Sequence, residues 1–495
     1  MLWNQIACCT SQIRREKGCK PMQPDKKQEK LFKRAPYLLT LLTPFFLPGA
    51  VSAAPDAPPS FLVQPDSRLL FEPSDIRLSG ALPGSRVEVT SYFEDADGVP
   101  WSGRAVYHAN SAGDVQLDRS ASVAGTYTGI DAEGLFWSML PVQPEPLTAG
   151  VPTRAESWPS FPVMKADEPV TIMLRATFEA SLATTAKTEL QTTQTVSFMG
   201  EGVRRTVIED EPFEGVLFEP AAASSYPVVM VVTGSGGGAQ ETTAALLASH
   251  GIAALAIAHF NYPGRPDELA SIPLEYFYNA ADWLRKHVGV PRIGLTGGSR
   301  GGEAVLLLAA LNPAPFGAIV SEVPSNAVWG GCCSAEASAQ TAWNYRGEPI
   351  PGYRYEFEEG AEGFDEAEET TDWVRFFLRG MLEPGDAAIP VEQIQAPLLL
   401  LSGDSDELWP SAVAGEQVLA RLREHEFTYP AEHFAYPGAG HTATSTQMVT
   451  SLGDRVIHPL TRTSIPLGGT PALNAAAKMD AFQRKTVFFK THLPA

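Results

Sequence analysis

Arg292-Ile293-Gly294-Leu295-Thr296-Gly297-Gly298-Ser299-Arg300-Gly301-Gly302-Glu303 decides how this chain folds. Arg292–Thr296 reads as a buried strand, and Gly302–Leu311 as an apolar helix. Between them Gly297, Ser299 and Gly301 form a G-x-S-x-G pattern. A strand that turns this sharply into a helix lifts the serine hydroxyl to the top of a sheet, beside the helix N-terminus. Small residues on both sides of the serine let neighbouring backbones come close enough for the turn. The pattern alone is weak, because Gly and Ser are common in loops. The strand before it and the helix after it make Ser299 the candidate nucleophile.

A serine hydroxyl attacks only when a base takes its proton. In sheets with this turn, the acid and then the base follow the serine along the chain. Pro397–Ser402 is another apolar strand, and Gly403-Asp404-Ser405-Asp406 lies just past its end. Asp406 has the usual G-x-x-D spacing, and Asp404 is the alternative. The next strand, His433–Tyr436, leads through Pro437-Gly438-Ala439-Gly440 to His441. Of the nine histidines only His441 follows a glycine-rich turn after the last strand, so it is the candidate base. The developing oxyanion needs backbone donors. Gly236, in the Gly234–Gly238 loop after the strand Val228–Val232, is one candidate. The N–H of Arg300, next to the nucleophile, is the other. The same glycine-rich loop could suggest phosphate binding, but no Gly-Lys-Ser/Thr follows it.

Working outward, apolar strands alternate with helical segments from Gly202 onward. Ile252–Ala258 and Phe316–Ser321 read as strands. Ile272–His287, Ser411–Glu424 and Lys478–His492 read as helices. Strands without polar alternation, separated by helices, specify a mostly parallel sheet covered on both faces. The expected architecture for residues 202–495 is therefore an α/β-hydrolase fold. An excursion over residues 322–396 interrupts the rhythm and holds an acidic run from Glu356 to Asp372. It is either a lid or a solvated surface loop. Residues 54–201 differ: short β-branched runs at Ser85–Tyr92, Glu168–Thr177 and Thr192–Phe198 are separated by turn residues such as Asp95-Ala96-Asp97-Gly98. They predict an all-β, immunoglobulin-like sandwich ahead of the catalytic domain.

Residues 1–53 carry nine basic and three acidic residues, then an apolar stretch from Tyr37 to Leu47, then Val51-Ser52-Ala53. This is the layout of a secretory signal cleaved after Ala53, and the apolar stretch is too short to span a bilayer. A mitochondrial transit peptide or a buried hairpin is the other reading. A start at Met22 rather than Met1 gives a leader of ordinary length. An exported protein, periplasmic or secreted, is expected. The whole chain has net charge -20 over 495 residues, and losing a basic leader makes the remainder more acidic still. Phosphate-rich partners are repelled by such a surface, so nucleic acid is excluded as a partner. No transmembrane segment is expected in the mature chain, and no metal or cofactor is called for. After the leader only Cys332 and Cys333 remain of the five cysteines. Two free buried thiols are expected, with a strained vicinal disulfide as the alternative.

The chain resembles the acyl-CoA thioesterase and bile acid-CoA:amino acid N-acyltransferase family. Gly125-Thr126-Tyr127-Thr128-Gly129-Ile130 and Gly134-Leu135-Phe136-Trp137 are similar to its N-terminal β-sandwich, and Gly202-Val203-Arg204-Arg205 to its domain junction. The Gly234–Gly238 loop, Asn261-Tyr262, Leu274-Glu275-Tyr276-Phe277, Gly298–Glu303, Asp406 with Trp409, and Gly440-His441 are similar to motifs of its catalytic domain. The resemblance implies a triad of Ser299, Asp406 and His441. It also implies hydrolysis of acyl thioesters, because thioesterase members carry Ser at the turn and conjugating members carry Cys. Export and acidity point instead toward neutral acyl esters, since CoA is made inside cells and carries several phosphates. Either way the partner is a small acyl thioester or ester.

Overall fold

Successive side chains along Val228–Val232 belong alternately to two different cores: Val229 and Val231 to one, Val228, Met230 and Val232 to the other. That period-two division recurs in Leu398–Gly403, where Leu399 and Leu401 join the first core and Leu398 and Leu400 the second. A strand buried on both faces has no reason to alternate polar and apolar residues, which is why these segments are continuous apolar runs. The computed structural model describes residues 58–142, 161–181, 183–209, 211–221, 225–353, 373–452, 456–458, 460 and 464–494. The leader, its cleavage position and the acidic run Glu356–Asp372 lie outside the described residues.

The larger sheet has eight strands: β1 (Arg204–Ile208), β2 (Glu214–Glu219), β3 (Val228–Val232), β4 (Ala253–Ala258), β5 (Ile293–Gly298), β6 (Phe316–Glu322), β7 (Leu398–Gly403) and β8 (Ala431–Tyr436). Their spatial order is β1-β2-β4-β3-β5-β6-β7-β8. Strands β3 to β8 are mutually parallel, and β2 runs antiparallel to β4. The order reverses between β4 and β3, so β3 and β5 lie side by side at the switch point, where ligands of open α/β sheets sit beyond the strand ends. Helices α1 (Glu241–Ser249), α2 (Glu275–Val288), α3 (Arg300–Leu311), α4 (Trp373–Leu382), α5 (Ser411–Glu424) and α6 (Pro471–His492) complete it. Helices α2, α3 and α5 cover one face, through Phe277, Leu308 and Val418. Helices α1 and α6 cover the other, through Leu247 and Phe489. This is an α/β-hydrolase fold.

Two antiparallel-rich sheets precede it. One pairs Ser60–Gln64, Asp75–Ser79 and Val115–Gln116. The other is built around Arg86–Glu94, Pro100–His108, Val170–Phe178 and Thr188–Ser197. In Arg86–Glu94 every second residue is buried, Val87, Val89, Ser91 and Phe93, as a strand with one face on a core requires. The Gly134–Trp137 segment forms a short helix whose end docks on the hydrolase half: Thr450 N–H donates to Trp137 O at 2.9 Å. Gly200 N–H donates to Ser249 Oγ at 2.7 Å, and the Phe71 and Phe482 rings meet at 5.5 Å. The first core therefore runs without a break from the sandwich into the α1/α6 side of the sheet.

The expected elements shift in two places. Helix α2 begins at Glu275, because Ile272 and Pro273 pair in parallel with Trp343 and Asn344. Helix α6 begins at Pro471, well before Lys478. Thr470 caps it by accepting the Leu473 N–H, and proline occupies its first position. That extension buries Lys478, whose Nζ donates only to Gln447 O among the described residues, at 3.1 Å. Burial pulls this amine down from 10.5 to about 7. Between those pH values the unfolded chain binds more protons than the fold, so stability rises as pH rises through the window. Below about pH 7 the penalty is complete and constant. Lys478→Met is expected to stabilise the protein at pH 7 by roughly 2 kcal/mol and to flatten this rise. Thermal melts between pH 7 and 10.5 check it, and a wild type with flat stability across the window contradicts it.

Candidate active site

Ser299 sits between β5 and α3 with φ 58° and ψ −123°, a backbone region that costs an L-residue on the order of 1–3 kcal/mol. The turn is held from both sides: Ser299 N–H donates to Glu322 O, and Ser299 O accepts from Glu303 N–H, each at 3.0 Å. The flanking glycines are required by contact. A Cβ on Gly297 would lie 2.7 Å from Gly301 O, and one on Gly301 only 2.5 Å from Val232 O. Below the turn, the Glu322 carboxylate accepts from Thr296 Oγ1 at 2.7 Å and from Lys485 Nζ of α6 at 2.8 Å, all buried. The last helix thus fixes the residue that fixes the serine.

The candidate acid and base meet directly. His441 Nδ1 and Asp406 Oδ2 are 2.8 Å apart, with both side chains buried. Asp406 also accepts from Ser411 Oγ at 2.7 Å, from Leu408 N–H at 3.0 Å and from Trp409 N–H at 3.1 Å. Four donors on one carboxylate leave it little freedom to rotate. Asp404 has a different task. It is exposed, and its Oδ1 accepts from Gly438 N–H at 2.6 Å, stapling the turn before the histidine. The His441 ring packs edge-on against Trp409 at 5.7 Å. Its Nε2 is buried and has no hydrogen-bond partner among the described residues. Among the described residues no hydrogen bond joins it to Ser299.

Arg300 opens α3, so its N–H has no acceptor within the helix. Its side chain does something the sequence did not announce. Nη2 donates to Trp329 O at 3.1 Å and Gly330 O at 2.9 Å. Nε lies 3.3 Å from Oε2 of the buried Glu303. Glu303 accepts from Trp343 Nε1 at 2.8 Å, and burial pushes its carboxyl up while Arg300 opposes the shift. The helix that follows Ser299 therefore anchors the first part of the 322–396 excursion. Trp329 and Trp343 are fully buried, so that part is not a solvated loop. Trp329, Phe377 of α4 and Trp409 pack ring on ring up to His441, at 4.7 and 5.6 Å between successive centroids, making an apolar wall beside the His441 ring. Gly236, in the loop after β3, accepts from Asn261 Nδ2 at 2.9 Å through its carbonyl. A cavity of about 660 Å³ lined by Arg68, Glu72, Gly200 and Ser249 contains none of these residues.

Cys332 and Cys333 are joined as a vicinal disulfide, which corrects the expectation of two free thiols. Sequence could not decide this, because the outcome depends on how the backbone turns. Cys332 is fixed in a bridge with Leu269 by two backbone hydrogen bonds, while Cys333 Sγ turns to 3.7 Å from Ser235 O. The sequence also gave no sign of His458. Its Nε2 lies 2.9 Å from Ser235 Oγ, and burial holds the ring down at about 4. Ser411 was missed as well, although a serine opening the helix after the acid loop is a cheap signal. Ser411→Ala is expected to lower kcat/KM roughly tenfold, since it removes one charge-assisted bond from Asp406. Steady-state kinetics check this, and an unchanged rate contradicts the assigned part.

Residues 71–210 match the family model described as the acyl-CoA thioester hydrolase/BAAT N-terminal region, and residues 272–495 match the one described as the BAAT/acyl-CoA thioester hydrolase C terminal. Rat acyl-coenzyme A thioesterase 1 is 29% identical over 426 residues, covering 85% of this chain and 94% of the relative. Mouse acyl-coenzyme A amino acid N-acyltransferase 1 is 27% identical over 439 residues, covering 87% and 97%. A dienelactone hydrolase structure from Anabaena variabilis aligns with 59% of this chain and all of that one, at 17% identity and a TM-score of 0.32.

Proposed function

The chain belongs to the acyl-CoA thioester hydrolase and BAAT family, and from that premise we propose that it hydrolyses acyl thioesters of the acyl-CoA kind through an acyl-enzyme on Ser299. The observation that carries the proposal is the buried Asp406–His441 pair, with the unbonded Nε2 of His441, downstream of a strained serine between strand and helix. In this reading His441 Nε2 takes the Ser299 proton as Oγ adds to the thioester carbonyl. Asp406 holds the imidazole and the charge it gains. The N–H groups of Arg300 and Gly236 receive the oxyanion. The C–S bond then breaks, His441 returns the proton to the leaving thiolate, and water activated by the same nitrogen releases the acid. The aromatic wall of Trp329, Phe377 and Trp409 is where the acyl chain is placed. Serine rather than cysteine at position 299 supports transfer to water over transfer to an amino acid.

A second reading has a specific observation behind it. The chain is strongly acidic, which gives a polyanionic leaving group no long-range attraction, and the leader read at residues 1–53 favours export away from the CoA pool. A carboxylesterase acting on neutral acyl esters fits both. Initial rates on acyl-CoAs of graded length, matched neutral esters, and acyl-CoA with added glycine or taurine separate the readings. The proposal expects kcat/KM for acyl-CoA above that of the matched ester, and no amide product. Faster ester turnover overturns the thioesterase reading, and an intact N-terminus on protein isolated from the cytoplasm overturns export.

A further inference from the structure

One group of chemistry-bearing side chains is left unused by the triad. The Sγ atoms of Cys332 and Cys333 and a ring nitrogen of His458 lie within 4.8 Å of one another. Two of the three residues hold the same neighbour. His458 Nε2 is 2.9 Å from Ser235 Oγ, and Cys333 Sγ is 3.7 Å from Ser235 O. Ser235 is followed by Gly236 and preceded by Gly234, where an added Cβ would lie 3.4 Å from Ser299 Cβ. The cluster is thus attached to the loop that faces the nucleophile. It comes from two chain segments more than a hundred residues apart, and both are tied into place: Cys332 by its bridge to Leu269, and His458 next to the short strand Val456–Ile457, which pairs with Ser464–Ile465.

We propose that, once the Cys332–Cys333 disulfide is reduced, the two thiolates and His458 form a site for one thiophilic divalent ion of the zinc class. A dithiol or phosphine reductant supplies two electrons. The S–S bond breaks, two protons are taken up, and two thiols form while the reductant is oxidised. Binding of the ion then releases those two protons to solvent as two metal–sulfur bonds form. Two thiolates and one imidazole suit zinc and its soft neighbours, and they offer nothing to oxygen-seeking magnesium or calcium. The fourth tetrahedral position is left to water. In the oxidised chain the sulfurs have no charge to give, so oxidation empties the site. Filling it recruits residues that now hold Ser235 and so displaces the Gly234–Gly238 loop. This last consequence, unlike metal binding itself, rests on the reading that the loop supplies an oxyanion donor.

The test uses the full chain, reduced with a phosphine, freed of reductant without air, and titrated with Co²⁺ and then Zn²⁺. Thiolate-to-cobalt charge-transfer absorption and native mass give the stoichiometry. Because Cys8, Cys9 and Cys19 are also in the sequence, the Cys332→Ser/Cys333→Ser double variant is the control. One ion per reduced chain is expected, with none in oxidised protein or in the double variant. His458→Gln should bind at least tenfold more weakly, and His458→Cys, which restores a ligand, should regain affinity. Absence of binding to reduced wild type, equal binding by the double variant, or affinity indifferent to both His458 changes overturns the site. Hydrolysis measured on the same samples should fall at least tenfold on loading and return with a chelator. Full activity in the loaded enzyme overturns the link to the loop, whereas inactivity of the metal-free enzyme overturns the proposed function and leaves the site standing.

Discussion

Ser299→Ala is expected to lower kcat for acyl-thioester hydrolysis by about 10⁶-fold, the scale seen when a triad serine is removed from a hydrolase whose other parts remain. The protein should stay folded. Alanine keeps the Cβ that already occupies the positive-φ position, and the backbone bonds to Glu322 O and Glu303 N–H are untouched. A thermal melt within a few degrees of wild type would separate loss of chemistry from loss of structure. Some acceleration over water should remain from the oxyanion donors and binding alone. A variant that keeps a tenth of wild-type kcat would mean that water, not Ser299, attacks the thioester.

Asp406→Asn is expected to cost about 10⁴-fold in kcat, with KM changed little. The amide would still fill the pocket made by Ser411 Oγ and the N–H groups of Leu408 and Trp409. It would then turn its own NH₂ group toward His441 and force the other tautomer, leaving Nε2 protonated and unable to take the serine proton. Asp404→Asn should be mild by comparison. Its carboxylate caps the Gly438 turn from an exposed position, and an asparagine oxygen accepts the same N–H. Kinetics on the two variants in parallel decide the matter. A crippled Asp404→Asn beside an active Asp406→Asn would contradict the geometry.

How much of this was legible in the sequence depended on whether the cause was local. The turn at Ser299 announced itself, because the strand before it and the helix after it are written in consecutive residues. Helix α5 has the bounds expected of it, Ser411–Glu424, since a self-contained apolar stripe sets both ends. The start of α2 was misjudged because Ile272 and Pro273 are claimed by Trp343 and Asn344, about seventy positions away. The start of α6 lies in Thr470-Pro471, a capping threonine followed by proline at the first helical position, seven residues ahead of the expected Lys478. The G-x-x-D spacing favours Asp406 as the candidate acid with Asp404 as the alternative, and in the fold it is Asp406 that contacts His441 while Asp404 is exposed and bonds Gly438. What could not be read were couplings across long separations: Lys485 under Glu322, Arg300 holding the carbonyls of Trp329 and Gly330, and His458 against Ser235. Nothing in the chain near any of these residues calls for its partner.

The central claim is that an acyl group passes through Ser299. Mixing the enzyme with a long-chain acyl-CoA, quenching in acid within the first turnovers and digesting the protein would expose the intermediate to mass measurement. The account predicts the peptide containing Ser299 heavier by one acyl group, with one equivalent of free CoA released per acylated chain. Hydrolysis proceeding at the full wild-type rate, with that peptide unmodified and another residue carrying the acyl group, would contradict it.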